Sequence, residues 1–165
     1  MRNGNGGGEM NNGLRDKLIR EQIEFSAADT LCFITPRPAE LAQIQREQWT
    51  PVIDAVNAAG CDFKMSETLA VPPVAERTRD FLEKRMSALT DAELSAFCQV
   101  SGGCKSVALA VAVLSGLLPA ERAFDLSVLE ETYQNRFWPT DAEGAAAREN
   151  RKKAVVDAAK TLKGE

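Results

Sequence analysis

The run VALAVAVLSGLL, Val107 to Leu118, constrains this chain more than any other stretch, because a helix built from it has almost no polar face. A helix that is apolar all round must be wrapped by other elements or by lipid. Its twelve residues would reach about 18 Å as a helix, well short of the roughly 30 Å of a bilayer core. The segment is therefore expected to be the central helix of a packed domain and not a membrane span. Ala108, Ala110 and Ala112 would let neighbouring helices come close. The lead-in SGGCKS contains the residue types of a phosphate loop without its spacing. A nucleotide loop needs Gly, four residues, then Gly-Lys-Ser/Thr, so that successive backbone N–H groups curl around the phosphates. Here Gln99 and Cys104 stand where the two glycines belong. Lys105 and Ser106 read instead as a helix start with no ligand.

A chain of 165 residues with 44% hydrophobic content can form one domain without disulfides or metals. Its four cysteines, Cys32, Cys61, Cys98 and Cys104, include no CxxC pair and read as reduced, mostly buried thiols. There is no histidine. That removes the commonest general base, the usual catalytic triads and a frequent zinc ligand. No catalytic residue, metal site or cofactor is expected, and the chain does not read as an enzyme. A net charge of −4 gives no basic footprint for nucleic acid.

Residues 1–13, MRNGNGGGEMNNG, are Gly/Asn-rich and expected to be disordered, with neither a secretory nor a transit-peptide pattern. Residues 14–165 are expected to form a helical domain. Leu14, Leu18, Ile19 and Ile23 mark a first helical face, and DTLCFITPRP an extended connection. A long helix is expected over 38–59, with Leu41, Ile44, Trp49, Val52, Ile53 and Val56 inward and Pro51 kinking or splitting it. GCDFKMSETLAVPP alternates in the manner of a small β-hairpin. Helix resumes near Pro73. TDAE occurs at Thr90–Glu93 and again at Thr140–Glu143, each with the spacing of a capping box that opens a helix. A further helix is expected from Pro119 to Pro139, with Leu126, Leu129, Tyr133 and Phe137 towards the core and Glu130, Glu131 and Gln134 away from it. The alanine-rich end is expected to pack through Val155, Val156, Ala159 and Leu162. The fold class is mainly α: a compact helical domain around one apolar central helix, with room for a small hairpin.

Two stretches together resemble one family. DTLCF followed by ELAQIQREQWTPVIDAV, and KSVALAVAVLSGLLPAERAFDLSVLEETYQNRFW, are similar to the helical domain of the mitochondrial ATP synthase F1 complex assembly factor 2 family, over about Leu14 to Trp138. The resemblance implies a non-enzymatic assembly chaperone of the mitochondrial matrix. Its client would be the free F1 α subunit, kept from aggregating until it assembles with β. Carried over by position, the family's acidic landmark falls on Glu130 and Glu131, its aromatic-amide pair on Tyr133 and Gln134, and its tryptophan on Trp138. Thr132, Val128 and Pro139 depart from the family pattern. Family members also carry an N-terminal β-rich domain; with thirteen residues ahead of Leu14, this chain is expected to be either a fragment or a reduced homologue. The alternative is a permanent structural subunit of a larger mitochondrial complex that reuses the scaffold.

Overall fold

The structure, a computed structural model, describes residues 10–68 and 70–163. Of the expected disordered leader, positions 1–9 lie outside the described residues. The first helix begins before Leu14, because Asn11 accepts from Leu14 N (2.7 Å) and caps it. Met10 N is bound by Asp91 Oδ2 at 2.8 Å. The order is α1 (Asn12–Ser26), a 3-10 turn (Thr30–Cys32), α2 (Ala39–Ala59), α3 (Glu76–Ser87), α4 (Asp91–Cys104), α5 (Val107–Leu114), α6 (Ala120–Ser127), α7 (Leu129–Gln134) and α8 (Ala142–Leu162). The fold is mainly α, with no strand among the described residues.

The expected hairpin over 60–73 does not form. Side chains of the helices take the backbone groups a second strand would have used. Asn57 grips Phe63 from both sides, accepting from its N–H (2.8 Å) and donating to its C=O (2.9 Å), while Thr78 Oγ1 accepts from Asp62 N (2.9 Å). What remains is one parallel bridge between Phe33 and Ser66. Pro51 neither splits nor ends α2, which runs unbroken to Gly60. Gln45 is buried in α2, and Ile44 only partly. The box at Thr90–Glu93 forms reciprocally. At the second TDAE the cap is Asp141, bonded to Gly144 N at 2.7 Å, and Thr140 turns back to Asn135 instead.

The apolar helix is central. Val107 to Val113 are at most 2% exposed, and α1, α2, α4, α6 and α8 wall it in. It is shorter than its apolar run because Gly116, at φ 72°, closes it. Gly116 N bonds Val113 O (3.1 Å) and Leu117 N bonds Ala112 O (2.8 Å), the paired bonds of a Schellman stop.

Of the two glycines before α5, Gly103 serves packing, while Gly102 has no neighbour a side chain would meet. A Cβ on Gly103 would lie 2.4 Å from Val155 Cγ2, so this position lets α8 close onto α4. Alanine is the better helix former by about 1 kcal/mol. Gly103→Ala is nevertheless expected to lower stability by about 1–2 kcal/mol, since the branched Val155 has little rotamer freedom to yield. Adding Val155→Ala should recover part of that loss in a urea-melt cycle; simple additivity would show that the close approach is not the cause.

The start of α5 is held from α1's far end. Asp29, fully buried, accepts from Ala108 N (2.8 Å), Leu31 N (3.0 Å) and the Ser106 hydroxyl (2.7 Å), whose oxygen in turn accepts from Leu109 N (3.0 Å). Thr30 bonds the Lys105 carbonyl through its N–H (3.3 Å) and hydroxyl (2.7 Å). Lys105 itself sits in the left-handed region at φ 53°. Burial pushes the Asp29 carboxyl above its ordinary 3.8, against the hydrogen bonds from Ala108, Ser106, Leu31 and Val107 that pull it down. With a raised folded value, this group's share of stability is fully present below about pH 4 and is lost as pH rises through that value. Asp29→Asn is expected to flatten that part of the stability curve, read as urea midpoints against pH. An unchanged slope would show that the carboxyl titrates normally. Asp29→Ala, which orphans buried donors, should cost about 3 kcal/mol or more.

Candidate protein-docking groove

The segment expected to be one helix from Pro119 to Pro139 is broken at Val128 (φ −111°, ψ 24°) into α6 and α7. The break has a specific cause. Trp49 Nε1 donates to Leu126 O at 2.8 Å, occupying the carbonyl that a continuous helix would pair with the amide of residue 130. Ser127 Oγ bonds back to Phe124 O at 2.6 Å and helps to close the turn. After Gln134 the chain tightens, with Phe137 N and Trp138 N both bonded to Gln134 O (3.0 and 2.9 Å). Pro139 follows.

This turn sets Tyr133 and its two aromatic successors on different levels. Tyr133 points inward, 9% exposed, and its hydroxyl donates to Glu40 Oε2 (3.1 Å) in the first turn of α2. Burial first, and then the Glu40 contact, raise the phenol's pKa, so it stays a donor. Arg136 reaches Glu40 at 3.5 Å and lies over the Tyr133 ring at 5.3 Å. Phe137 meets Tyr133 edge-on at 5.4 Å and Trp138 at 6.2 Å. Contrary to expectation, Phe137 is not core: it is 55% exposed, and Trp138 75%. The premature end of α7 swings both out of the helical stripe.

Between the start of α2 and the end of α7 lies a groove of about 400 Å³. It brings together Glu130, Tyr133, Gln134 and Trp138 of the sequence-predicted set with Arg37, Pro38, Leu41 and Phe137. Glu131 faces elsewhere. It pairs with Arg151 (3.3 Å) and Arg148 (3.8 Å) of α8, alongside the Asp125–Lys152 pair at 2.9 Å. Its carboxylate thus ties α7 to α8, and it is not brought to the groove. Sequence reasoning missed Arg37, Pro38 and Leu41; the available signal was their place beside a landmark, in the TPRPAEL step before α2.

A cavity of about 290 Å³ beneath residues 72–75 is lined in part by Cys32, but burial pushes that thiol up to about 12, as it does Cys61 and Cys104. Such thiols are not nucleophiles at neutral pH. No group of three or more His, Cys, Asp and Glu among the described residues could hold a metal ion, and no helix among them is long and apolar enough to cross a membrane.

No family profile matches the chain. The mitochondrial protein atp12 of Schizosaccharomyces pombe is 25% identical over 131 residues, 75% of this chain and 45% of that protein. The fold matches Atp12 from Paracoccus denitrificans with a TM-score of 0.80 at 22% identity, over 92% of this chain and 65% of that one. The chain is similar in sequence and in fold to Atp12 proteins. It also matches, at TM-score 0.80 and 25% identity, the Atu1473 protein from Agrobacterium tumefaciens, described as a chaperone candidate, over 92% of this chain and 57% of that one. The chain spans less than two thirds of the length of each of these three proteins. The two segments that carried the resemblance, DTLCF and KSVALAV, are the ones that Asp29 and Thr30 join.

The exposures make a direct expectation. Trp138→Ala should leave the melting temperature within about 2 °C, because an exposed side chain contributes little, whereas Tyr133→Ala should cost about 2–3 kcal/mol through lost burial and the Glu40 contact. Thermal melts of the two variants check this; equal losses would place Trp138 in the core.

Proposed function

We propose that the chain is an assembly chaperone for the F1 part of ATP synthase, holding the free α subunit in the mitochondrial matrix until it assembles with β. The role is non-enzymatic. The observation that carries the reading is the exposed Phe137–Trp138 pair beside the Tyr133 groove, in a chain homologous to Atp12. Large aromatics left in water next to a preformed apolar groove are costly unless a partner covers them. The rim is polar, with Glu130 and Gln134 exposed. Exposed ion pairs contribute about 0–1 kcal/mol each and mainly tune rate and orientation, which suits a protein that must release its client. The partner-binding set is then Glu130, Tyr133, Gln134 and Trp138, with Glu131 acting through the α7–α8 tie.

Light scattering of purified α subunit, with and without this protein, tests the reading. Glu130→Lys and Trp138→Ala are expected to fold normally and to raise the concentration needed for half-protection several-fold. Glu131→Lys should act first on stability, since it sets a cation against Arg148 and Arg151. Full protection by the Glu130 and Trp138 variants would move the client surface elsewhere. Stoichiometric copurification with a finished complex, in place of transient association with free α subunit, would establish the structural-subunit alternative.

A further inference from the structure

The charges around the groove divide into two kinds. Glu40 is engaged by Tyr133 and Arg136, Glu131 by Arg148 and Arg151, and Asp125 by Lys152. Arg37 and Glu130 both line the groove, yet among the described residues neither has an ion-pair partner, and they do not meet each other. Opposite charges that share one apolar groove without pairing leave a defined electrostatic direction across it. The rest of the lining is mostly apolar and aromatic, with Leu41, Tyr133 and Trp138 among it.

Resting on the chaperone reading above, we infer that the groove takes a short segment of the client in which an apolar side chain is flanked by one acidic and one basic residue, the acid meeting Arg37 and the base meeting Glu130. The apolar side chain covers the aromatic floor, and the two charges fix the direction in which the segment lies. A phosphate-bearing partner fits less well, because Glu130 would repel it and the chain carries a net −4. A small polar ligand also fits less well, since the groove's charged groups stand at an open, exposed rim.

The molecule contains its own reporter. Trp138 is 75% exposed, whereas Trp49 is 2% exposed with its indole N–H bonded to Leu126 O, so an emission shift on binding belongs to Trp138. Binding of free α subunit would be measured for wild type, Arg37→Glu, Glu130→Arg and the double variant at low salt. Each single reversal is expected to weaken binding about fivefold and the double about 25-fold, because both ends of the bound segment then face like charge. The double variant keeps the net charge. Its return to wild-type affinity would overturn the inference, as would singles without effect.

A second arm is independent of the α subunit. Three synthetic peptides share one leucine-rich core and carry Glu and Lys, Glu twice, or Lys twice at its ends. The mixed peptide should shift Trp138 emission at a concentration about threefold lower than either like-charged one, with no shift in Trp138→Phe. Equal responses, no response, or a shift driven by protein concentration alone (a second copy in the groove) would each overturn the proposal. Should wild type fail to hold the α subunit while the mixed peptide still binds best, the client reading falls and the groove's selectivity stands.

Discussion

The carboxylate of Asp29, buried at the entrance of the most apolar helix in the molecule, is the contact on which the rest of the arrangement depends. The N-terminal amides of α5 have no helical acceptors, and in a dry interior they need one. Asp29 takes Ala108 N directly and reaches Leu109 N through the Ser106 hydroxyl. The helix end also favours a negative group, which offsets part of the desolvation that raises the carboxyl's pKa. Thr30 fixes the same corner by gripping the carbonyl of left-handed Lys105. α4 can then turn sharply into α5 without leaving buried backbone groups unpaired.

With α5 anchored, the surrounding helices take positions that the groove inherits. α2 packs along α5 and carries Trp49, whose indole ends α6 by capturing Leu126 O. α7 therefore starts afresh at Leu129 and crosses to the first turn of α2, where Glu40 receives Tyr133 and Arg136. From the other side, α8 closes over Gly103 and reaches α7 through Glu131. The groove is thus a by-product of how the hub is walled. Its lining comes from segments nearly a hundred positions apart, Arg37 to Leu41 and Glu130 to Trp138.

The energetics of that groove suit reversible holding. Its inner wall is rigid, since Tyr133 is locked by a hydrogen bond, an aromatic neighbour and Arg136 over its ring. Its outer parts are exposed and little constrained. For the proposed holding role, a rigid anchor would limit the entropy lost on association and solvent-screened rim charges would favour release. Burial keeps the Cys32 and Cys104 thiols protonated at neutral pH, and the buried carboxyl of Asp29 is taken up in capping α5.

Several features were legible in the sequence because they are local. An apolar run too short for a bilayer had to be a buried helix, and Thr90 with Glu93 had to cap one. The landmark segments pointed to the same family as the Atp12 proteins that the chain resembles in sequence and fold. Other features were decided by contacts between distant residues. Nothing near Val128 announces a helix break, because the group that causes it is Trp49's indole. Glu130 and Glu131 are equivalent as neighbouring letters; only the position of α8 sends one to the groove and the other to Arg148 and Arg151. Phe137 fits the helical spacing of a core residue, and it is exposed because the helix has already ended. Alternation in residues 60–73 suggested a hairpin, but side chains from α2 and α3 took the backbone groups first. Asp29 looked like one more polar residue in a connection, and its role appears only when α5 is brought against it. Periodicity and capping depend on neighbours in sequence and can be read from it; the partners of a buried polar group are set by packing, which brings together residues the sequence keeps far apart.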